Sequence, residues 1–279
     1  MGSARKLSPP WRQGGLAASL ASLAALLGVA AVVALVSACT PPRLSPTLLG
    51  SGTAAEEERK VAGFDSLRCG SVLTVDVQVG PAQHVHVEGD DNLLRHIRTD
   101  AAGGTLYVRA EGSFEAKRRL RVVVAMPRLR RLIAEGAAQC NVVSLRGDKL
   151  EIECRGSSQT RIHGSAARIE ATVRDAAQLR IMGLAAEEIR LDADGSGQVE
   201  AAGTAASLNA TLRSAATLQA YDLVAKDALV EASGASRAEV TAKRSLSASA
   251  RGSASLRYRG EPATTRIDRD AAATIQAAP

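Results

Sequence analysis

Four sets of side chains in this chain could do chemistry. Glu151 and Glu170 stand at the same offset in successive copies of a repeated stretch, and Arg190 stands there one copy later. Paired carboxylates are the material of general acid–base catalysis, provided that a cleft gathers them and shifts their pKa values. No neighbouring segment shapes such a cleft, so an ion-pair ladder on an outer surface is expected instead. The stretch "HVH" sets His84 and His86 on one strand face, where two imidazoles could hold a metal. No third ligand accompanies them, and an exposed polar face is the expectation. Cys69, Cys140 and Cys154 match neither a zinc pattern nor a CxxC pair, so small apolar core residues are favoured over a disulfide. The run "KRRLRVVVAMPRLRR" carries Lys117, Arg118, Arg119, Arg121, Arg128, Arg130 and Arg131. Such a run is ordinarily a solvated face, but it could also meet anionic glycolipid phosphates or a surface polymer. GxSxG and GGxGxD motifs are absent. The expectation is no catalytic residue, no metal and no cofactor.

The elements that position these side chains are written in a repeat. "EGAAQC", "RGSSQT", "RDAAQL" and "DGSGQV" open successive units, whose second turn residue falls at Gly136, Gly156, Asp175, Gly195, Ser214, Gly234, Gly252 and Asp270. A fixed short period marks a solenoid. Within each unit the alternation has period two, so the units are strands. Inward columns stand four and two residues before the turn (Leu132 and Ala134 in the first unit) and four and six after it (Cys140 and Val142). One rung cannot bury its own apolar face, so rungs must stack. The last unit places Arg266 and Asp268 in the inward columns and reads as a cap. The expected fold is a right-handed parallel β-helix of about eight rungs at roughly 4.8 Å spacing. Residues 128–279 form its regular rungs, and residues 61–127 form less regular first coils, with a short helical or coil insertion at "DDNLLRHIRTD".

The front of the chain bears on its compartment. Residues 1–38 contain Arg5, Lys6 and Arg12, no acid, and an uncharged run that reaches Cys39. This has the form of an export signal. "LVSAC" resembles the lipobox of bacterial lipoproteins, which implies acylation of Cys39, cleavage before it and anchoring to the membrane. An uncleaved anchor helix is the alternative. Thr40 replaces the Asp of an inner-membrane retention signal, so the outer membrane is expected, on either its periplasmic or its outer side. Residues 39–60, rich in Pro, Gly and Ser, read as a tether. The net charge of +6 falls to +3 once the three signal cations leave (6 − 3 = 3), which is too mild for nucleic acid. Trp11 leaves as well, and two Phe and three Tyr make no stacking platform for bases or sugars.

"FDSLRCGSVLTVDVQVG…VHVEGDDNLLRHI", "MPRLRRLIAEGAAQ", the serial turns and "SLSASARGSASLRYRGEP" together resemble the putative auto-transporter adhesin, head GIN domain family. The resemblance runs from about Val61 to the C-terminus. It implies a β-helical domain of bacterial envelope proteins, often lipid-anchored, with no established enzymatic activity and no catalytic residues to carry over. Asp175, Ser214 and Asp270 replace the turn glycine, which implies looser corners there. The reading is a non-catalytic, envelope-anchored binding or structural module. The alternatives are a β-helical carbohydrate-active enzyme and an accessory domain for envelope stress.

Overall fold

The computed structural model describes residues 47–279, which form one compact unit. The export signal and Cys39 lie outside the described residues. Residues 47–60 are not all tether: they contain β1 (Leu48–Leu49) and β2 (Ala54–Glu58). The next strands are β3 (Ser66–Cys69), β4 (Thr74–Val79), β5 (His84–Asp90), β6 (Ile97–Ala102), β7 (Thr105–Ala110), β8 (Phe114–Glu115) and β9 (Arg121–Met126). A 3₁₀ turn over Leu94–His96 sits where a short helical or coil insertion is expected. The regular part follows as β10 (Arg131–Ala134), β11 (Gln139–Cys154), β12 (Gln159–Val173), β13 (Gln178–Ala193), β14 (Gln198–Leu212), β15 (Thr217–Ala232), β16 (Arg237–Ala250), β17 (Ser255–Arg259), β18 (Thr264–Arg269) and β19 (Thr274–Ala277).

From β10 onward each strand pairs in parallel with the matching strand of the next rung, giving a parallel β-solenoid of about seven turns. The inward columns read from the sequence are the buried ones. Leu132, Ile152, Ala171, Leu191, Ala210, Val230 and Ala248 are all enclosed, as are Ala134, Cys154, Val173, Ala193, Leu212, Ala232 and Ala250. Large and small residues alternate along the chain, with Ala171 before Val173 and Leu191 before Ala193, which fills a narrow core without voids.

Two corners shape each rung. At the first, Gly136, Gly156, Asp175, Gly195, Ser214, Gly234 and Gly252 all take the left-handed conformation, with φ between 59° and 77°. The expectation of looser corners at Asp175 and Ser214 fails, because their φ values of 60° and 59° match the glycines. Their side chains help hold the turn. Asp175 Oδ2 accepts a hydrogen bond from Gly156 N at 2.9 Å in the rung before, and Ser214 Oγ donates to Asp194 Oδ1 at 2.7 Å. The second corner explains why turn-to-turn steps alternate between 20 and 19 residues from Gly136 to Gly234. Longer rungs turn through Leu145 and Leu184, while the shorter rungs place Gly164 and Gly203 directly beside them. A Cβ on either glycine would run into the adjacent leucine's carbonyl oxygen. The short rung therefore requires glycine at this corner.

The final rung is registered one residue later than expected. Ile267, not Arg266 or Asp268, lies beside inward Ala248, and Ile275 lies beside Leu256. β18 is exposed along its whole length, as expected of a cap strand.

At the other end the chain order is broken. β3 and β4 make one rung that turns at Ser71 (φ 68°), and β7 and β9 make the rung before it. The later-written β7–β9 rung thus stacks outside the β3–β4 rung, and the chain then passes over both to start β10 and β11 on the inner side. Antiparallel β2, β5 and β6 close this end. Cys69 of the inserted rung forms a disulfide with Cys140 of the first regular rung, a correction to the expectation of three free thiols. Among the described residues Cys154 alone is free, and it is buried. Asp90, with no exposed surface, ties the cap together by accepting backbone N–H bonds from Gly52 (2.7 Å), Lys117 (2.9 Å) and Arg118 (3.0 Å). The Arg118 amide in the first place, with those of Gly52 and Lys117, holds the Asp90 carboxyl below the usual range against the opposing effect of burial. The latch is therefore complete at neutral pH and is lost only as pH falls below about 4 through that lowered pKa.

Candidate functional site: a polar face along the solenoid

The outward residues three and five positions after each first corner form two rows along one face. The first row runs Arg121, Thr74, Gln139, Gln159, Gln178, Gln198 and Thr217, each opposite the next across adjacent strands. The second runs Val123, Asp76, Asn141, Arg161, Arg180, Glu200 and Gln219 in the same way. Parallel pairing without register shift over this stretch keeps like offsets side by side, so a residue repeated in the sequence becomes a line in space. Between the rows lies a small groove of about 150 Å³, lined chiefly by Gln159, Arg161, Gln178, Arg180, Gln198 and Glu200. That is below the roughly 300–1,000 Å³ of a site that encloses a small molecule. The glutamine row was legible in "GAAQ", "GSSQ", "DAAQ" and "GSGQ", where Gln follows the turn residue by three. Attention to acids and histidines passes over it, because amides neither titrate nor attack.

The acids are indeed rung neighbours, on a different face. Glu151 lies beside Glu170, and Glu170 beside Arg190. Lys149 Nζ sits between the carboxylates, 2.9 Å from Glu151 and 3.0 Å from Glu170, while Arg190 turns to Glu188 at 2.7 Å. Lys149 holds the Glu151 carboxyl below its ordinary range. A general acid at neutral pH needs the opposite shift.

His84 and His86 stack with ring centroids 5.9 Å apart, and His86 Nε2 lies 3.0 Å from Glu88. Among the described residues no group of three His, Cys, Asp or Glu is placed to hold a metal ion. The basic run does not form one patch. Arg121 pairs with Asp76, Arg130 with Asp65 at 3.4 Å and Arg131 with Glu153 at 3.7 Å. Arg118 Nε donates to Gly52 O at 2.7 Å, and Arg119 Nη2 to Thr74 Oγ1 at 3.5 Å. Arg121 belongs to the glutamine row, whereas Arg131 lies beside Glu151 on the face of the acids. Lys117 and Arg128 are exposed and have no ion-pair partner among the described residues. Arg118 and Arg119 also border an open depression at the cap with Glu56 and Glu88. Glu88 is engaged there by His86 and, at 3.8 Å, by Arg121.

Residues 63–262 match the family described as "Putative auto-transporter adhesin, head GIN domain". The chain belongs to this family. Crystal structures of similar proteins share the fold seen here. One described as a putative adhesin from Parabacteroides distasonis superposes with a TM-score of 0.76 at 21% identity, covering 84% of this chain and 100% of that one. Another from the same species, described as a putative lipid binding protein, gives 0.72 at 18% identity over 84% and 100%. A putative adhesin from Parabacteroides merdae gives 0.72 at 17% identity, again over 84% and 100%. No functionally curated protein matches the chain. Among the described residues no helix is long and apolar enough to cross a membrane.

Proposed function

We propose that this head GIN protein is a non-catalytic binding module of the bacterial cell envelope. In this reading it is acylated at Cys39, anchored in the outer membrane and adhesin-like in use. The observation that carries the binding role is the polar face: two rows of hydrogen-bonding side chains, unbroken from Gln139 to Gln198 and from Asn141 to Glu200, beside a groove too small to enclose a substrate. An elongated surface suits a partner that is itself elongated. The anionic envelope glycolipid or polymer expected from the basic run would meet Lys117 and Arg128, since the other five cations are engaged within the fold. The lipobox motif and the family's envelope setting support the anchor.

Expression of wild-type and Cys39→Ala chains with a labelled fatty acid tests the anchor, and sedimentation of the purified full-length chain with envelope fragments tests the binding. Label should vanish in the variant, and the wild type should sediment with the fragments while leaving glycans uncleaved. Label retained by Cys39→Ala would sink the anchor. Cleavage abolished by Glu151→Gln with Glu170→Gln would make the protein an enzyme.

A further inference from the structure

We propose that the glutamine row and the arginines beside it bind a linear, carboxylate-bearing polysaccharide lying along the solenoid axis. This rests on the surface-binding reading above and names its ligand class.

The first ground is regularity. Gln139, Gln159, Gln178 and Gln198 are direct cross-strand partners on four consecutive rungs, so their side chains recur at the strand spacing of roughly 4.8 Å. A receptor that repeats the same group at a fixed interval fits a ligand that does the same. The second ground is unused valence. A carboxamide offers two N–H donors and a carbonyl acceptor. None of these four carboxamides makes a hydrogen bond to another described residue, although neighbours on the same face do. Asn141 donates to Asp76 at 2.6 Å, and Arg180 Nε donates to Glu200 at 2.7 Å. Free donors and acceptors in a line suit hydroxyl groups, which both give and accept.

The third ground is charge. Arg161 is exposed and has no carboxylate partner among the described residues, and it stands beside Arg180, whose own charge is shared with Glu200. Two guanidiniums with one acid leave positive charge in the middle of the row, which a ligand carboxylate would complete. The fourth ground is what the face lacks. The exposed large hydrophobic residues are Leu49, Val72, Val143, Val224, Leu229 and Ile267, and none lies in either row. The two rows themselves therefore offer a protein partner or an acyl chain no large apolar anchor, and exposed Val143, the next outward residue after Asn141, stands alone beside them. With no aromatic side chain in either row, each sugar unit is held by hydrogen bonds and, at Arg161, by charge, so single contacts are weak and affinity accumulates over rungs.

Polygalacturonate and its fully methyl-esterified form test this, because they share a backbone and differ in charge. Binding to the full-length chain is measured by calorimetry, with light scattering to follow self-association. The wild type should bind polygalacturonate, and Gln178→Ala with Gln198→Ala should weaken binding of both polymers about tenfold. Arg161→Gln should weaken polygalacturonate about fivefold and leave the ester unchanged. Arg190→Gln, on another face, should change neither. Binding that ignores the glutamine pair would overturn the placement. Failure to bind either polymer by a chain that still sediments with envelope fragments would overturn the ligand class and leave the binding module standing. Failure to bind both polymers and fragments would remove both. Self-association lost with the glutamines would make a second copy the occupant and overturn the proposal.

Discussion

Ser158 and Ser236 occupy a buried column, two residues after the turn, that other rungs fill with Ala138, Ala177, Gly197, Ala216 and Ala254. Both hydroxyls are enclosed without a hydrogen-bond partner. An unpaired buried hydroxyl forfeits its hydration, and alanine is already the common solution at this site. Ser158→Ala and Ser236→Ala should therefore each raise unfolding free energy by about 1 kcal/mol. Urea denaturation checks this, and a fall in stability would show that the hydroxyl is paired in solution. Thr160, equally buried, differs because Cys154 Sγ donates to its Oγ1 at 3.3 Å. Burial pushes the Cys154 thiol up to about 11, so at neutral pH it is a packing group and not a nucleophile.

The element that bears most on stability is the misordered pair of rungs at the N-terminal end. The β3–β4 rung meets the first regular rung only after the chain has left to build β5 through β9, and the disulfide of Cys69 with Cys140 closes that excursion over a sequence separation of 71. On a chain-entropy basis a loop of this length is worth about 4 kcal/mol. Cys69→Ser with Cys140→Ser should lower the unfolding free energy by about that much, and wild type under reductant should behave alike. Equal stability of oxidised and reduced protein would show that stacking alone holds the rung. The regular rungs were legible because two signals coincide, a turn residue at a fixed step and alternation with period two. The columns of Leu132 and Cys140 could be read straight down. The inserted rung was not legible, since Ser71 carries no glycine at its corner and antiparallel strands separate its relatives. Nor was the disulfide, because its cysteines lie in different inward columns of different rungs, a relation that no sequence spacing encodes. The last rung slipped by one residue for a similar reason: Asp270 imitates a turn residue while bonding back to Gly252 N at 2.7 Å.

At the scale of the whole molecule, the solenoid converts repetition into a line. Many of its inward residues are alanine, a poor strand former alone, yet they pack because each rung is buried by the next. The same stacking that fills the core aligns Gln139, Gln159, Gln178 and Gln198 outside it, so core and surface repeat together. A pocket would recognise one or two sugar units and gain nothing from a longer ligand. A line of equivalent sites gains with each unit until the ligand outruns the rungs. The affinity of the full-length chain for oligogalacturonates of increasing length separates these cases most directly. Affinity should climb steadily with length across the glutamine row and weaken when salt is added. A plateau reached at one or two units would contradict a line of equivalent sites.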